Sequence, residues 1–148
     1  MEIRATREQA EVEAALRLRE RVFCGEQGVT AEAERDGHDA EALHIVALKA
    51  GEVVGTCRLL YRGDTALLGR MAVEPGLRNA GVGAEVLSHA ESLAAQAGAA
   101  RIGLHAQRAA ESLYRRAGFV PYGGVFIEEC IEHVAMEKLL APSVPARG

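Results

Sequence analysis

A chain of 148 residues is long enough to bury roughly 68–70% of the surface its unfolded form exposes and too short for a second full domain. Hydrophobic residues make up 49% and charged residues 26%, which excludes a mainly disordered protein. A net charge of −4, 4% aromatics and no tryptophan argue against a nucleic-acid partner, which calls for a basic face or stacking rings.

In chain order, Glu2–Ala5 is expected to be a short first strand. From Arg7 to about Cys24, Ala10, Ala14, Leu18 and Val22 recur at steps of three or four among Glu and Arg, the pattern of an amphipathic helix. Thr6 ahead of it, with Gln9 three residues on, fits a reciprocal cap. Gly25–Ala40 follows neither period and is expected to be a loop with at most a short helical turn; loops of this length are usually functional. Leu43–Ala50, Val53–Leu60 and Thr65–Val73 predict a three-stranded antiparallel meander, turning at Gly51-Glu52 and Gly63-Asp64. After a loop over Glu74–Ala80 comes a helix over Val82–Gln96 that stops at Gly98. Arg101–Ala106 is expected as a strand and Ala109–Ala117 as a short helix ended by Gly118. The last strands are Phe119–Tyr122 and Ile131–Leu139, with Gly123-Gly124 and an acidic stretch between them. Residues 1–140 then form the domain, and Ala141–Gly148, with Pro142 and Pro145, a frayed tail.

Apolar runs such as Ile45–Leu48 are far shorter than the ~20 residues of a membrane span, and Met1-Glu2-Ile3-Arg4 does not open a signal peptide. A cytoplasmic protein without a membrane partner is expected. Cys24, Cys57 and Cys130 are odd in number and widely spaced, which suits reduced thiols better than a disulfide framework or a zinc site.

The segment from Val73 to Gly83 lies between a strand and a helix start, where unpaired N–H groups and glycines suit an anion. Gly81 is followed by Val82 rather than by Lys-Ser/Thr, so it is not a nucleotide-triphosphate loop. Val86 stands where a dinucleotide fold needs its third glycine, and Gln107 where it needs an acid. What remains, Arg78-x-x-Gly81-x-Gly83, resembles the pyrophosphate loop of the GCN5-related N-acetyltransferases. Downstream, Gln107-x-x-Ala110-x-x-Leu113-Tyr114-x-x-x-Gly118-Phe119 is similar to the same family's later helix and strand. Arg21-x-Phe23-x-x-Glu26-Gln27, Asp36-x-x-Asp39, His44, Gly55-Thr56-x-Arg58-Leu59 and Ile131-x-His133-x-x-Met136 resemble its ElaA-like bacterial subgroup. Asn79 and Gln107 depart from the family's usual glycine and asparagine.

The resemblance implies an α/β acyl-CoA N-acyltransferase fold: a mixed, mostly antiparallel sheet with a splayed strand pair and helices on both faces. It implies acetyl-CoA as cosubstrate, held by Met71, Ala72, Val73, Arg78, Asn79, Gly81, Val82, Gly83, Ala84 and Gln107, with Tyr114 giving a proton to the leaving sulfur. Taken alone, Tyr114 on an amphipathic helix is more often a core side chain with a wet hydroxyl. No acid lies in Leu67–Val73, so the candidate bases are Glu26, on the loop expected to overhang the acceptor, and His133. Either also suits a structural role. Asp36, His38, Asp39 and Glu41 are expected to be solvated loop residues rather than metal ligands, and no metal is expected. The acceptor is a small-molecule or peptide amine of unspecified kind, and a free terminal strand leaves a homodimer open. The alternative is a non-catalytic acyl-CoA-binding or protein-interaction module on the same fold.

Overall fold

The computed structural model describes residues 1–140, so the expected tail over Ala141–Gly148 lies outside the described residues. Among the described residues seven strands form one sheet: β1 (Glu2–Ala5), β2 (Leu43–Lys49), β3 (Glu52–Arg62), β4 (Thr65–Val73), β5 (Arg101–Gln107), β6 (Val120–Glu128) and β7 (Ile131–Leu139). Their order is β1-β2-β3-β4-β5-β7-β6, antiparallel throughout except between β4 and β5. The helices are α1 (Gln9–Arg19), α2 (Ala31–Glu34), α3 (Val82–Gln96) and α4 (Glu111–Arg116).

The alternation of β2 explains why helices cover both faces. Val46 and Leu48 pack with Ala15 of α1, while Ile45 and Ala47 belong to the larger core with Val82, Val86 and Ala90 of α3. Gly55 of β3 lets α3 sit close: a Cβ there would lie 2.8 Å from Val82 Cγ1.

Three expectations change. Thr6 does not cap α1; its N–H extends the β1–β2 pairing to His44 O at 2.9 Å. The helix starts after Glu8, whose side chain makes no cap bond, and Glu11 instead accepts from the Arg7 N–H at 2.7 Å. Beyond Arg19 the helix widens into a π-helical stretch over Glu20–Glu26, closed by Gln27 N–H on Val22 O at 3.1 Å. Finally, β6 does not stop at Tyr122. It runs on to Glu128 because Gly123–Val125 bulge opposite Val134 of β7, with Gly123 at φ 73°, and pairing resumes at Phe126 with His133.

The sheet is parted in its middle. β4 and β5 pair only at Thr65 with Arg101, Ala66 with Ile102 and Leu67 with Gly103. Further along, Arg70 and Met71 together oppose the single residue Cys57 of β3, a bulge with Arg70 at φ 55°.

Candidate active site in the parted sheet

A cleft of about 1090 Å³ opens where β4 and β5 separate. Its walls include Met71, Ala72 and Val73 from β4, Gln107 from the end of β5, and Arg78, Asn79, Gly81, Val82, Gly83 and Ala84 from the glycine loop and the start of α3. Tyr114 and His133 also line it. Sequence position separates these groups by as much as Met71 from His133, and the parting of the sheet gathers them.

In the glycine loop, Asn79 takes φ 66° and Gly81 φ 86°. The left-handed turn at Asn79 explains why a glycine can be replaced there: asparagine is among the few side chains that adopt it at small cost. The first intrahelical bond of α3 runs from the Glu85 N–H to Gly81 O at 3.1 Å, which leaves the N–H groups of Val82, Gly83 and Ala84 at the positive end of a fifteen-residue helix. Gly83 faces neighbours across the loop, since a Cβ there would meet Leu113 Cδ2 at 3.5 Å and Val73 Cγ2 at 3.8 Å.

Tyr114, on α4, is 6% exposed and packs edge-on against Phe119, with ring centroids 5.9 Å apart. Burial, with a smaller contribution from Cys57, pushes its phenol well above the ordinary tyrosine value, so it stays protonated at neutral pH. The Cys57 thiol is itself pushed up to about 12 by burial. Cys24, also raised by burial, carries no activated thiolate, and all three cysteines are free. On the opposite face of the sheet, His133 is 7% exposed and its Nδ1 lies 2.8 Å from the Ile131 carbonyl oxygen. Gln107 exchanges amide bonds with Gln27, at 2.8 and 3.3 Å, tying the end of β5 to the π-helical stretch.

Glu26, expected over the acceptor mouth, is paired with the glycine loop. Both its oxygens accept from the guanidinium of Arg78 in the glycine loop, and that contact holds its carboxyl below the usual glutamate range.

Asp36 and Asp39, expected to be solvated, are ion-paired. Arg58 donates to both, and Arg19 reaches Asp39 Oδ1 at 2.7 Å and the 2% exposed Glu34. Hydrogen bonding from Arg58 is the main reason the Asp36 carboxyl lies far below its ordinary value. For Asp39 burial opposes ionisation, but bonds from Arg19 and Arg58 outweigh it and the net shift is downward. Arg70, from the bulge, donates to the carbonyls of Ala33 and Glu34 at 3.2 Å each and to Asp36. The loop over α2 is thereby pinned beside the cleft. Sequence reasoning missed Arg70, and it missed Glu128 and His105, which flank His133 in the cleft. Continuing β6 past its glycines was the signal that would have aligned Glu128 with β7.

A sheet parted beside a glycine loop from which a long helix starts is the frame of an acyl-CoA N-acyltransferase. The model of the acetyltransferase (GNAT) domain matches residues 4–140, and the chain belongs to that family. It is 35% identical over 125 residues to the uncharacterized N-acetyltransferase YjcF of Bacillus subtilis, covering 84% of this chain and 89% of that one. The crystal structure of ElaA from Escherichia coli is similar at a TM-score of 0.84 and 27% identity, covering 93% of this chain and 99% of that one. An acyl-CoA N-acyltransferase from Pseudomonas aeruginosa is similar to the same degree, with a TM-score of 0.84, 26% identity and the same two coverages. No helix among the described residues is long and apolar enough to cross a membrane.

Proposed function

We propose that this protein transfers the acetyl group of acetyl-CoA to a primary amine by direct attack within a ternary complex. The observation that carries this reading is the cleft itself, which joins the glycine loop and Tyr114 on one side of the sheet to His133 on the other. Acetyl-CoA supplies the activated acyl group as a thioester. Arg78 and the N–H groups of Val82, Gly83 and Ala84 hold its pyrophosphate, with Asn79 and Gly81 shaping the turn. The backbone of Met71, Ala72 and Val73, freed from β5, hydrogen-bonds the pantetheine arm and the thioester oxygen, and Gln107 borders that arm. Tyr114 donates its proton to the departing sulfur, a role that suits a phenol kept protonated by burial. His133 serves the amine. Glu26 acts on the cosubstrate side, as the partner Arg78 gives up when phosphate arrives.

The test is release of free thiol from acetyl-CoA across a panel of a polyamine, an aminoglycoside, free lysine and a peptide α-amine, with products weighed by mass spectrometry. Thiol release with an acetylated product of 1:1 stoichiometry supports the reading. Tight acetyl-CoA binding without turnover on any amine supports a non-catalytic acyl-CoA module instead.

A further inference from the structure

β5, β7 and β6 carry one row of side chains on the face opposite α3. Gln107 pairs with His133 and His133 with Phe126, and the two-residue alternation puts His105, Glu128 and Ile131 in the same row. Glu128 stands between two imidazoles, Oε1 3.3 Å from His105 Nδ1 and Oε2 3.7 Å from His133 Nε2. Phe126 stacks on His133, with centroids 5.8 Å apart, and meets His105 edge-on at 5.0 Å. His105, Glu128 and His133 all line the cleft.

The hydrogen bonds of His133 determine what this row can bind. Its Nδ1 faces the carbonyl oxygen of Ile131, which only accepts, so in the neutral ring Nδ1 carries the hydrogen and Nε2 a lone pair. Ionised Glu128 is also only an acceptor. Two acceptors therefore face each other at 3.7 Å, unable to bond one another and close enough for one donor to bridge both from the side. Among the described residues no Lys or Arg forms an ion pair with Glu128 or its neighbour Glu129. A largely buried imidazole whose Nε2 makes no hydrogen bond, beside a carboxylate that no Lys or Arg neutralises at the rim of a cleft, fits a substituted ammonium group.

We propose that Glu128 and His133 form the acceptor subsite, Glu128 receiving the ammonium form of a cationic amine and His133 Nε2 taking the proton that must leave before the nitrogen can attack. The assignment rests on the acetyl-transfer reading above. The ammonium gives one proton to His133, which passes it to solvent past the exposed edge of Glu128. On attack the C–N bond forms and the C–S bond breaks. The sulfur takes the phenolic proton of Tyr114, and the second proton of the nitrogen returns through water to the phenolate. Each ammonium acetylated thus yields one amide, one free thiol and one released proton. His105 holds the other oxygen of Glu128 and is a positioning residue.

The experiment uses whichever panel amine turns over fastest. Glu128→Gln, at a half-exposed position, should raise the acceptor KM about ten-fold, the weight of one charge-assisted hydrogen bond, and leave acetyl-CoA affinity unchanged. His133→Gln should lower kcat about 100-fold with a smaller change in acceptor KM. His105→Gln should raise the acceptor KM less than Glu128→Gln does and spare kcat. Because His133 is buried, ¹⁵N imidazole spectra of the wild type at alkaline pH supply a measurement free of folding artefacts: the Nδ1–H tautomer is expected, and the Nε2–H tautomer would overturn the proton-acceptor role. A wild type that turns over while Glu128→Gln keeps both constants overturns the subsite alone. A wild type that binds acetyl-CoA and acetylates no amine overturns the acetyl-transfer reading, and this assignment with it.

Discussion

Glu26 and Arg78 form a two-pronged ion pair between segments 52 residues apart, with Arg78 Nη2 donating to Glu26 Oε1 at 2.6 Å. The π-helical stretch after α1 is thereby tied to the loop that would receive a pyrophosphate. Arg78 cannot serve both anions equally well, so Glu26→Gln is expected to tighten acetyl-CoA binding by about two- to five-fold, the scale of one exposed ion pair. The acceptor KM should not move. Isothermal titration together with acceptor kinetics checks both, and weakened acetyl-CoA binding would count against competition between carboxylate and phosphate.

Gly83 has room for a Cβ, with Leu113 at 3.5 Å and Val73 at 3.8 Å, but none for a negative charge beside a phosphate. A ligand bound only to the native state stabilises it by about 2.7 kcal/mol at a hundred times its Kd. Acetyl-CoA should raise the melting temperature of the wild type and leave that of Gly83→Asp unchanged, as read by differential scanning fluorimetry. A shift that survives in the variant would place the pyrophosphate elsewhere.

Tyr114→Phe keeps the ring that packs on Phe119 and removes only the hydroxyl. Turnover should fall by ~10²–10⁴-fold with little change in acetyl-CoA affinity, because the lost proton acts at the leaving-group step. Pre-steady-state thiol release separates that step from product release. Unchanged chemistry across pH would leave Tyr114 as a core residue.

Asp36 and Asp39 bear on stability at low pH. Both carboxyls are depressed in the folded protein by Arg58, and Asp39 also by Arg19. Their contribution is therefore fully present above the unfolded aspartate value of about 3.9 and is lost as pH falls from there through the lower folded values. Chemical denaturation between pH 6 and pH 2 should show a loss of stability beginning below about pH 4. Asp36→Asn should flatten that loss and lower stability at pH 6. An equally steep acid loss in the variant would assign it to other groups.

Much of the frame is legible in the sequence because it depends on local rules. The meander follows from alternation between turn glycines, and α3 from a 3.6-residue period ended by Gly98. What local rules do not reach depends on partners far along the chain. Thr6 suits a cap, but its N–H is taken by His44. Asp36 and Asp39 pass for a solvated loop until Arg19 and Arg58, from a helix and a strand, converge on them. Gly123-Gly124 signals a break, yet two glycines also build a bulge, and the extra length of β6 is what carries Glu128 to His133. Glu26 was legible as a loop carboxylate but not as the partner of Arg78, since nothing in the sequence measures a distance across a cleft.

Three residue pairs of parallel ladder join β1–β4 to β5–β7. Past them, the protein resembles a book held by a short spine, with α3 laid along one cover. If acetyl-CoA binds as proposed, its polyamide pantetheine arm would lie between the pages and take the place of a missing strand. The cosubstrate would then be structural as well as reactive. Loading it would couple the motions of the two half-sheets and bring Tyr114 and His133, which belong to the same cover, into fixed register with the backbone of Met71 on the other.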